Sequence, residues 1–362
     1  MFSAADHGFM GRALRLAELG LYSTTPNPRV ACLIVKAGVI VGEGWHRRAG
    51  EAHAEIHALQ AAGSQARGAT AYITLEPCSH HGRTPPCAEA LIAAGVSRVV
   101  AAMQDPNPQV AGSGLSQLAA AGIVVECGLM EAEARELNIG FVSRMTRGRP
   151  WLRMKLAASL DGKTALTNGV SQWITGAAAR HDGHRWRARA CAILSGIGTV
   201  REDDPQLNVR DVDTSRQPLK MVVDSRLELP LEARVLNGGG VLLATASEEC
   251  EKSAALRERG AEIVCLPNAD GKVDLPALME ELALRGINEL HVEAGFSLNG
   301  ALLAAGLVDE LLLYLAPCLI GDAARGLFDL PALESLEGKR RLAVRDMRML
   351  GADLRVLARC LP

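Results

Sequence analysis

Aromatic residues are scarce in this sequence, and neither sign of charge dominates it. The 362 residues include five Phe, four Trp and three Tyr, too few for a surface that stacks nucleic-acid bases. Lys plus Arg (39) nearly balances Asp plus Glu (41), so no positive excess is available to hold a polyanion. No run of apolar residues is long enough to span a bilayer. The composition therefore excludes an integral membrane protein and argues against nucleic acid as a partner.

A secretion signal and a disulfide framework are also missing. Residues 1–7 lack the basic-then-apolar pattern of a signal peptide. The nine cysteines, an odd number spread along the chain, are typical of thiols or metal ligands rather than disulfides. Hydrophobic residues (48%) and charged residues (22%) stand at ordinary globular levels. We expect a soluble cytoplasmic protein, and an enzyme.

Length and periodicity predict two domains of the α/β class. The chain exceeds the ~100–200 residues usual for one domain. Helix and strand patterns alternate up to about Met145 and restart after Pro150, and the basic segment 144–150 suits a linker. We therefore expect unlike domains over residues 1–147 and 148–362. The predicted strands are 30–35, 39–43, 69–75, 97–102, 123–126, 151–158, 191–195, 220–223, 241–244, 262–266, 289–293 and 311–316. The predicted helices are 7–20, 53–62, 87–94, 114–121, 131–141, 177–190, 248–259, 275–285 and 297–305.

One imidazole and two thiols in the first half have the chemistry of a zinc site. His53-Ala-Glu55 opens a predicted helix, and Cys78 and Cys87 follow on either side of a segment rich in Gly, Pro and His. A catalytic zinc takes three protein ligands and lowers the pKa of water to ~7. Glu55 is placed to take that proton and pass it to a leaving amine. Zinc deaminases carry this H-x-E and P-C pattern, usually followed by C-x-x-C rather than the C-x₈-C found here.

Two other interpretations of these residues stay open. A structural zinc site has four protein ligands, and Cys32, His80 or His81 could supply the fourth. Cysteines are also often small core residues. A catalytic site is favoured because a structural one has no use for Glu55.

The motifs of the first half resemble the bifunctional deaminase–reductase family of riboflavin biosynthesis. The resemblance is carried by His53-Ala-Glu55, by residues 76–87 with their C-x₈-C spacing, and by Thr25-Pro-Asn27-Pro, Gly42-Glu-Gly44-Trp-His46 and Gln104-Asp-Pro-Asn107-Pro. It implies a cytidine-deaminase-like three-layer domain that hydrolyses an amine of 2,5-diamino-6-hydroxy-4-(5-phosphoribosylamino)pyrimidine.

The same resemblance assigns site residues in this half. It makes His53, Cys78 and Cys87 the ligands of one Zn²⁺ per chain and Glu55 the proton shuttle. Asn27, His46 and Asn107 would hold the pyrimidine or its sugar, although turn chemistry beside proline explains them equally well. Ala31 stands where the family pattern leads us to expect glycine, and its methyl group could shift the nearby strand.

The second half lacks the Rossmann dinucleotide fingerprint. The segment Gly196-Ile-Gly198-Thr-Val-Arg201 has no third glycine. A different anion site is predicted where a strand ends near Glu293 and a helix starts near Ser297, because a helix start offers unpaired N–H donors. An ordinary strand-to-helix turn explains the same residues.

Further motifs extend the family resemblance over nearly the whole chain. They are Lys155-Leu-Ala-Ala-Ser-Leu-Asp161-Gly, Ser171-Gln-Trp173-Ile-Thr175, residues 198–205, Leu207-Asn-Val-Arg210 and Val223-Asp-Ser225. The resemblance implies a dihydrofolate-reductase-like domain that uses NADPH to reduce the ribosyl group of 5-amino-6-(5-phosphoribosylamino)uracil to ribityl. It assigns to NADPH the residues Ala157, Trp173, Thr199, Asp203, Ser225, Gly295, Phe296, Ser297, Leu298, Asn299, Gly300 and Ala301. It assigns to the substrate Ser171, Arg187, Leu207, Arg210 and Glu293.

Two of these basic residues have a second interpretation, and one bulky residue departs from the family pattern. Arg187 and Arg210 could fork onto a substrate phosphate, but Arg187 also suits a solvated basic helix face. Lys155 could orient a ribose hydroxyl in the substrate, or form a surface ion pair. Phe296 stands where we expect a smaller residue or proline.

The leading hypothesis is therefore deamination with zinc followed by reduction with NADPH, acting on a small molecule and not on nucleic acid or membrane. We expect a homo-oligomer, either a dimer or a tetramer. A tRNA-editing deaminase is the runner-up, although the neutral charge and the cysteine spacing count against it. A zinc-stabilised binding module is the non-enzymatic alternative, which predicts four protein ligands and unfolding on chelation.

Overall fold

The computed structural model describes residues 1–79, 86–247 and 251–361. The chain folds into two compact units, Met1–Gly148 and Arg149–Pro362. Each unit builds its own hydrophobic clusters around its own sheet. The α/β fold class predicted from the alternation of patterns is confirmed. No helix within the described ranges has the length and apolar character needed to cross a membrane.

The first unit is a five-stranded mixed sheet with helices on both faces. Its elements are α1 (Ala4–Ala17), β1 (Ala31–Lys36), β2 (Val39–Trp45), α2 (Ala54–Ala62), β3 (Thr70–Ile73), α3 (Cys87–Ala94), β4 (Arg98–Ala101), α4 (Ser113–Ala120), β5 (Val124–Cys127), α5 (Glu131–Leu137) and α6 (Ile139–Arg147). The strand order is β2-β1-β3-β4-β5, in which β1 is antiparallel to β2 and β3, and the other pairs are parallel.

Alternation along the strands of this unit produces its two cores. Ile34 and Ile73 belong to a cluster on one face of the sheet, whereas Leu33 and Tyr72 belong to a cluster on the other. Successive side chains of a strand point to opposite faces, so strands that are apolar at every position must be covered twice. This explains why the strands read as short continuous apolar runs rather than alternating ones.

The end of the first unit differs from the prediction. The single helix expected over residues 131–141 is two helices, which meet at Asn138. The buried Asn138 side chain accepts a hydrogen bond from the Arg29 N–H at 2.8 Å and donates to the Arg29 carbonyl at 2.9 Å. This contact fixes Asn138 outside helical geometry.

The predicted linker over residues 144–150 is also wrong in its first part. Arg144 and Arg147 form the last turn of α6, and Gly148 ends the helix with φ of 66°. Basic side chains are favourable at a helix C-terminus because they face its partial negative charge. The basic character of this segment therefore marks a helix end.

The second unit is a nine-stranded sheet. Its elements are β6 (Trp151–Ser159), α7 (Ala177–Arg189), β7 (Ala192–Gly196), α8 (Ile197–Asp203), β8 (Leu219–Val223), β9 (Val241–Thr245), α9 (Glu251–Glu258), β10 (Ala261–Cys265), α10 (Leu275–Leu284), β11 (Glu289–Val292), α11 (Phe296–Ala304), β12 (Glu310–Ala316), β13 (Leu342–Leu350) and β14 (Asp353–Cys360). The strand order is β10-β9-β8-β7-β11-β6-β12-β14-β13, parallel except for the last two pairs. Parallel strands place all their carboxyl ends at one edge, where ligands bind in such sheets.

All seven strands predicted in this half are confirmed, but β13, β14 and the short α8 were missed. β13 is an edge strand whose residues, Val344, Met347 and Met349 among them, are largely exposed on both faces. A strand without a buried face has no alternation for sequence analysis to detect. The predicted helix over 248–259 is α9, and residues 248–250 lie outside the described ranges.

Candidate functional site

The three predicted metal ligands meet at the N-terminal ends of two helices. His53 caps α2, Cys87 is the first residue of α3, and Cys78 lies on the segment after β3. Their ligand atoms all lie within 4.8 Å of one another. The His53 Nδ1 atom lies 3.2 Å from the Cys87 Sγ atom and 3.5 Å from the Cys78 Sγ atom. The fold thus brings Cys78 and Cys87, which follow His53 by 25 and 34 residues, into one cluster with it.

These distances fit a zinc ion. Bonds of about 2.0–2.1 Å to nitrogen and about 2.3 Å to sulfur at tetrahedral angles place ligand atoms roughly 3.5 Å apart. Hydrogen bonds from Cys87 and from His53 hold the pKa of the Cys78 thiol below its usual value, which favours the thiolate that zinc binds. The described part of the chain adds no fourth ligand to the cluster. Cys32 is buried outside it, whereas His80 and His81 lie outside the described residues.

Glu55 lies on the first turn of α2, two residues from His53, and is almost completely buried. Burial raises the pKa of its carboxyl to about 7. A carboxyl group with a pKa near neutrality can both accept and release a proton under ordinary conditions. Glu55 and the three-residue cluster thus have the composition expected for hydrolytic deamination.

A cavity of 540 Å³ opens onto this cluster. Asn27 and His46, both predicted to hold substrate, line it and contact each other. His46 Nδ1 lies 3.2 Å from the Ala52 carbonyl, so it donates there and leaves Nε2 to accept from the Asn27 amide at 3.1 Å. This arrangement leaves the Asn27 oxygen available for a ligand.

Asn107 also lines the cavity, but its side-chain oxygen is engaged in a turn. It accepts a hydrogen bond from the Gln109 N–H at 3.1 Å, and the Asn107 N–H donates to Asp105 at 2.8 Å. Turn chemistry and a place at the site therefore coexist in this residue. Ala31, the departure from the family pattern, pairs in regular register with Trp45 at the start of β1, so its methyl group does not displace the strand.

The predicted residues of the second unit gather around two cavities at the carboxyl ends of the parallel strands. One cavity has a volume of 910 Å³ and the other 690 Å³. The first is lined by Thr199, Ser225, Gly295, Phe296, Ser297, Leu298 and Ala301 among the predicted residues. The second is lined by Lys155, Ala157, Ser171, Trp173, Arg187, Thr199, Asp203, Leu207, Arg210, Glu293, Gly295, Phe296 and Asn299.

The predicted strand-to-helix turn is present, and all but one of its predicted residues line a cavity. β11 ends at Val292, and Gly295 caps α11 without a side-chain hydrogen bond. The first residues of α11, Phe296, Ser297 and Leu298, line the larger cavity. Gly300 does not line either cavity. A Cβ atom there would lie 2.0 Å from the Asp329 carbonyl oxygen, so this glycine permits close packing of two backbones.

Arg187 and Glu293 form a bidentate ion pair in the smaller cavity. The Arg187 Nε and Nη2 atoms donate to the two Glu293 oxygens at 2.5 and 2.7 Å, and Nη1 donates to the Asn208 carbonyl at 3.0 Å. The Arg187 side chain is only 14% exposed, which contradicts the interpretation as a solvated helix face. Its fork is directed at a carboxylate rather than left open for a phosphate.

Lys155 lies near this ion pair and interacts electrostatically with both of its residues. Burial lowers the pKa of its ammonium, and the charge of Glu293 acts in the opposite direction. Lys155 is half-buried on the cavity wall. Burial acts to raise the pKa of Glu293, but the charges of Arg187 and Lys155 outweigh it and keep the carboxylate ionised. The result is a partly buried group of alternating charges on the cavity wall.

The other predicted substrate residues surround the same cavity. Arg210 is exposed and donates to Gln206 at 3.2 Å and to Asn208 at 2.7 Å, so part of its guanidinium faces the opening. Ser171 donates to Asp203 at 3.2 Å, which joins a predicted substrate residue to a predicted cofactor residue.

Two predicted residues of this cavity differ sharply in exposure. Leu207 is buried, whereas Trp173 is 70% exposed, with the Arg180 guanidinium 4.6 Å from its ring centroid.

Several residues of these cavities were not predicted. One is His184, which lies about one helical turn before Arg187 on α7. Another is Tyr314, whose hydroxyl donates to Asp182 of the same helix at 2.8 Å. The i, i+3 spacing on a helix could have identified His184. Arg226 and Lys272 line the larger cavity from loops, and neither residue belongs to a motif used above, so only the fold identifies them.

Two protein-family models match the chain. The model described as "Cytidine and deoxycytidylate deaminase zinc-binding region" matches residues 3–103, which contain His53, Glu55, Cys78 and Cys87. The model described as "RibD C-terminal domain" matches residues 150–356, more than half of the chain. The order of the two matches is the order of the two units.

Curated relatives and solved structures agree with these matches over the full length. The chain is 50% identical to the riboflavin biosynthesis protein RibD of Escherichia coli K12 over 96% of this chain and 98% of that protein. It superposes on Acinetobacter baumannii RibD with a TM-score of 0.93 at 43% identity, covering 99% of both chains.

A structure from Thermotoga maritima, described as a diaminohydroxyphosphoribosylaminopyrimidine deaminase/5-amino-6-(5-phosphoribosylamino)uracil reductase, gives a TM-score of 0.88 at 32% identity and covers 99% of both chains. The resemblance inferred from the motifs is thereby confirmed, as is the dihydrofolate-reductase-like fold of the second domain. Because this identity extends over almost the entire sequence, the chain belongs to the family of bifunctional riboflavin-biosynthesis enzymes, which deaminate and then reduce with Zn²⁺ and NADPH as cofactors.

Proposed function

We propose that residues 1–147 hydrolyse the exocyclic amine of 2,5-diamino-6-hydroxy-4-(5-phosphoribosylamino)pyrimidine. Residues 148–362 then reduce the ribosyl group of the product, 5-amino-6-(5-phosphoribosylamino)uracil, to ribityl. The observation that carries the first assignment is the cluster of His53, Cys78 and Cys87 beside the buried Glu55 at a 540 Å³ cavity. The second assignment is supported by the two cavities at the carboxyl ends of the parallel strands.

In the deaminase site, His53, Cys78 and Cys87 would hold zinc, with one coordination position left open. Zinc supplies a Lewis acid that makes water a nucleophile at neutral pH. Glu55 accepts a proton from the attacking water on its carboxylate and delivers it to the departing amino group, which leaves as ammonia. Water donates the oxygen that replaces the amine, so atoms and charge balance.

The pyrimidine would be held by polar side chains that line the same cavity as the metal ligands His53 and Cys78. The free Asn27 oxygen would accept a hydrogen bond from a ring amine, and His46 fixes the Asn27 amide so that this oxygen faces the cavity. Asn107, on the loop after β4, would contribute its amide N–H₂ group to the ring or the sugar. These roles rest on hydrogen-bonding capacity and position.

In the reductase site, NADPH supplies the hydride, and the chain only has to position it. The residues fit such a cofactor, because the N–H groups at the start of α11 suit a pyrophosphate and the Asn299 side-chain oxygen has no hydrogen-bond partner among the described residues. The residues that would contact NADPH are Ala157, Trp173, Thr199, Asp203, Ser225, Gly295, Phe296, Ser297, Leu298, Asn299 and Ala301, with Gly300 allowing the helix to pack.

The substrate of the second step carries a phosphate and an open-chain sugar. Arg210 is the cation on the exposed rim that suits the phosphate, since Arg187 is already paired with Glu293. Lys155 and Glu293 would then contact the ribose hydroxyls. Ser171 and Leu207 complete the wall against which the sugar lies.

Assembly and compartment extend this proposal. β13 presents exposed apolar side chains at the edge of its sheet, including Val344 (58%), Met347 (59%) and Met349 (61%), which suits pairing with a second copy in a dimer or tetramer. The cytoplasm suits the zinc cluster, because a reducing compartment keeps Cys78 and Cys87 as thiolates.

The test is mass spectrometry of the purified protein supplied with the diaminopyrimidine, with and without NADPH. We expect exchange of an amine for oxygen without NADPH, and a further gain of two hydrogens when NADPH is added. Reduction of the substrate before deamination would contradict the proposed order. Absence of the first mass change in a zinc-replete sample would contradict the deaminase assignment.

A further inference from the structure

Glu76 is a buried carboxylate to which the sequence analysis gave no role. It lies between β3 and the zinc-ligand residue Cys78, and it is 6% exposed. It does not belong to the cluster of metal-binding groups. Its backbone N–H donates to the Met103 carbonyl at 2.9 Å, which fixes its place between the ends of β3 and β4. A buried charge in such a position requires partners.

The partners are four backbone N–H groups of the loop before α4 and of its first turn. One Glu76 oxygen accepts from Asp105 at 3.0 Å and from Gly112 at 2.9 Å. The other accepts from Gly114 at 2.9 Å and from Leu115 at 3.3 Å. The last two donors belong to the first turn of α4, where the partial positive charge of the helix favours a carboxylate. Both oxygens are thus fully used within the protein.

The loop held in this way reaches the deaminase cavity. Asn107 and Val110, which lie between the first two donors, line the cavity that opens onto the metal cluster. Contact between the two segments is close at a second point, because a Cβ atom on Gly114 would lie 1.9 Å from the Pro77 carbonyl oxygen. The segment that carries Cys78 and the loop that carries Asn107 therefore pack as one piece.

We infer that Glu76 is a positioning residue for deamination, which fixes the Asn107 loop relative to the zinc-ligand segment. The inference rests on the proposed function of this cavity and extends it to a residue of the cavity wall that is not a metal ligand and whose two side-chain oxygens both accept from backbone N–H groups. Bonds from neutral donors to a charged acceptor are stronger than neutral ones, so a single side chain can hold eleven residues of loop in place. Loss of this carboxylate releases the loop while leaving the three metal ligands unchanged.

The first test uses the unaltered full-length protein and its amide hydrogen exchange. The N–H groups of Asp105, Gly112, Gly114 and Leu115 should be protected, because each donates to Glu76. Exchange at the rate of an exposed loop would overturn the inference. This measurement needs no substrate, so it stands whether or not the deaminase assignment is correct.

The second test compares Glu76→Gln with the control Glu126→Gln in zinc content and kinetics. Glu126 is a carboxylate on β5 of the same unit; it pairs with Arg98 on β4 and does not line the cavity. We expect Glu76→Gln to keep its zinc, exchange residues 105–115 faster, and lose about tenfold in deaminase kcat/KM, mainly through KM, at unchanged reductase activity. Loss of zinc, or an unchanged KM, would overturn the positioning role.

A double-mutant cycle separates positioning from general stability. If Glu76 acts through the loop, Asn107→Ala should add little to the effect of Glu76→Gln on KM. Fully additive effects would overturn the inference. Should Glu76→Gln fail to fold, Glu76→Asp keeps the charge with a shorter reach and should show the same non-additivity with Asn107→Ala.

Discussion

Arg187 directs two of its guanidinium nitrogens at the two carboxylate oxygens of Glu293, at 2.5 and 2.7 Å. The two residues lie 106 positions apart, on α7 and at the end of β11. The pair lines the smaller cavity of the second unit and occupies the Arg187 Nε and Nη2 groups that could otherwise fork onto a phosphate. Arg187 and Glu293 therefore hold each other in place. A neutral substitution of either residue leaves the charge of the other without its partner.

Glu293→Gln should therefore lower reductase kcat/KM by about 100-fold and the free energy of unfolding by about 3 kcal/mol, because Arg187 would keep its charge without a partner. Deaminase activity should not change. Steady-state kinetics and urea unfolding measure both effects. Glu281→Gln is the matched control, since Glu281 pairs with Arg285 on an open helix face and should cost less than about 0.5 kcal/mol. Equal effects of the two substitutions would contradict the role of the pair.

Arg210→Ala should raise the KM of the reductase for its phosphorylated substrate by about tenfold at nearly constant kcat. The reason is that Arg210 is exposed on the rim and retains N–H groups for a phosphate. Arg340→Ala, an exposed arginine on the segment before β13, is the control. A KM that stays within error of the unaltered protein would remove Arg210 from the phosphate site.

Glu55→Gln should lower deaminase kcat by about 10³-fold or more, while zinc stays bound and the reductase stays active. The amide keeps the shape of the side chain but cannot shuttle a proton. Metal analysis and both activity assays on one preparation measure this. Parallel loss of zinc and activity would show that Glu55 supports the metal site instead. Glu43→Gln, on the exposed part of β2, is the control.

Cys78→Ala should lose zinc, because only His53 and Cys87 would remain as described ligands. Deamination should be lost with it, whereas reduction should continue. Cys127→Ala removes an exposed cysteine outside the cluster and should retain one zinc per chain. Retention of the metal by Cys78→Ala at equal occupancy would require a different ligand set.

The stability of the second unit should fall in acid through His184. Burial, followed by the charge of Arg187, lowers the pKa of His184 to about 4. The unfolded chain takes up the proton near pH 6.5, before the folded one, so stability is complete above that pH and declines down to about pH 4. The decline amounts to at most about 3 kcal/mol.

The part of the acid-induced loss of stability that comes from His184 should be absent in His184→Gln. Urea unfolding at pH 7 and pH 5, followed by tryptophan fluorescence, gives the difference for each protein. His181→Gln is the control, because His181 lies exposed on the same helix. An identical pH dependence in His184→Gln and the unaltered protein would contradict the assignment.

Local chemistry made part of the fold predictable. Buried elements such as α2 and β11 were predicted at nearly their observed bounds, because the helix has apolar residues at helical spacing and the strand is a short continuous buried run. The helix break at Asn138 was missed because it depends on a contact with Arg29, which no local pattern carries. β13 was missed because it is exposed on both faces.

The amino-acid sequence by itself determined the chemistry of the first unit, because His53, Glu55, Cys78 and Cys87 are residue types with few other uses at such spacing. It determined the order of the two units for the same reason, through motifs that are local in the chain. Only the tertiary structure decided that Arg187 serves Glu293 and that Glu76 holds the Asn107 loop. Such pairings join segments that are far apart in the chain. Their donors and acceptors come within hydrogen-bond distance only when the folded structure packs the two segments together.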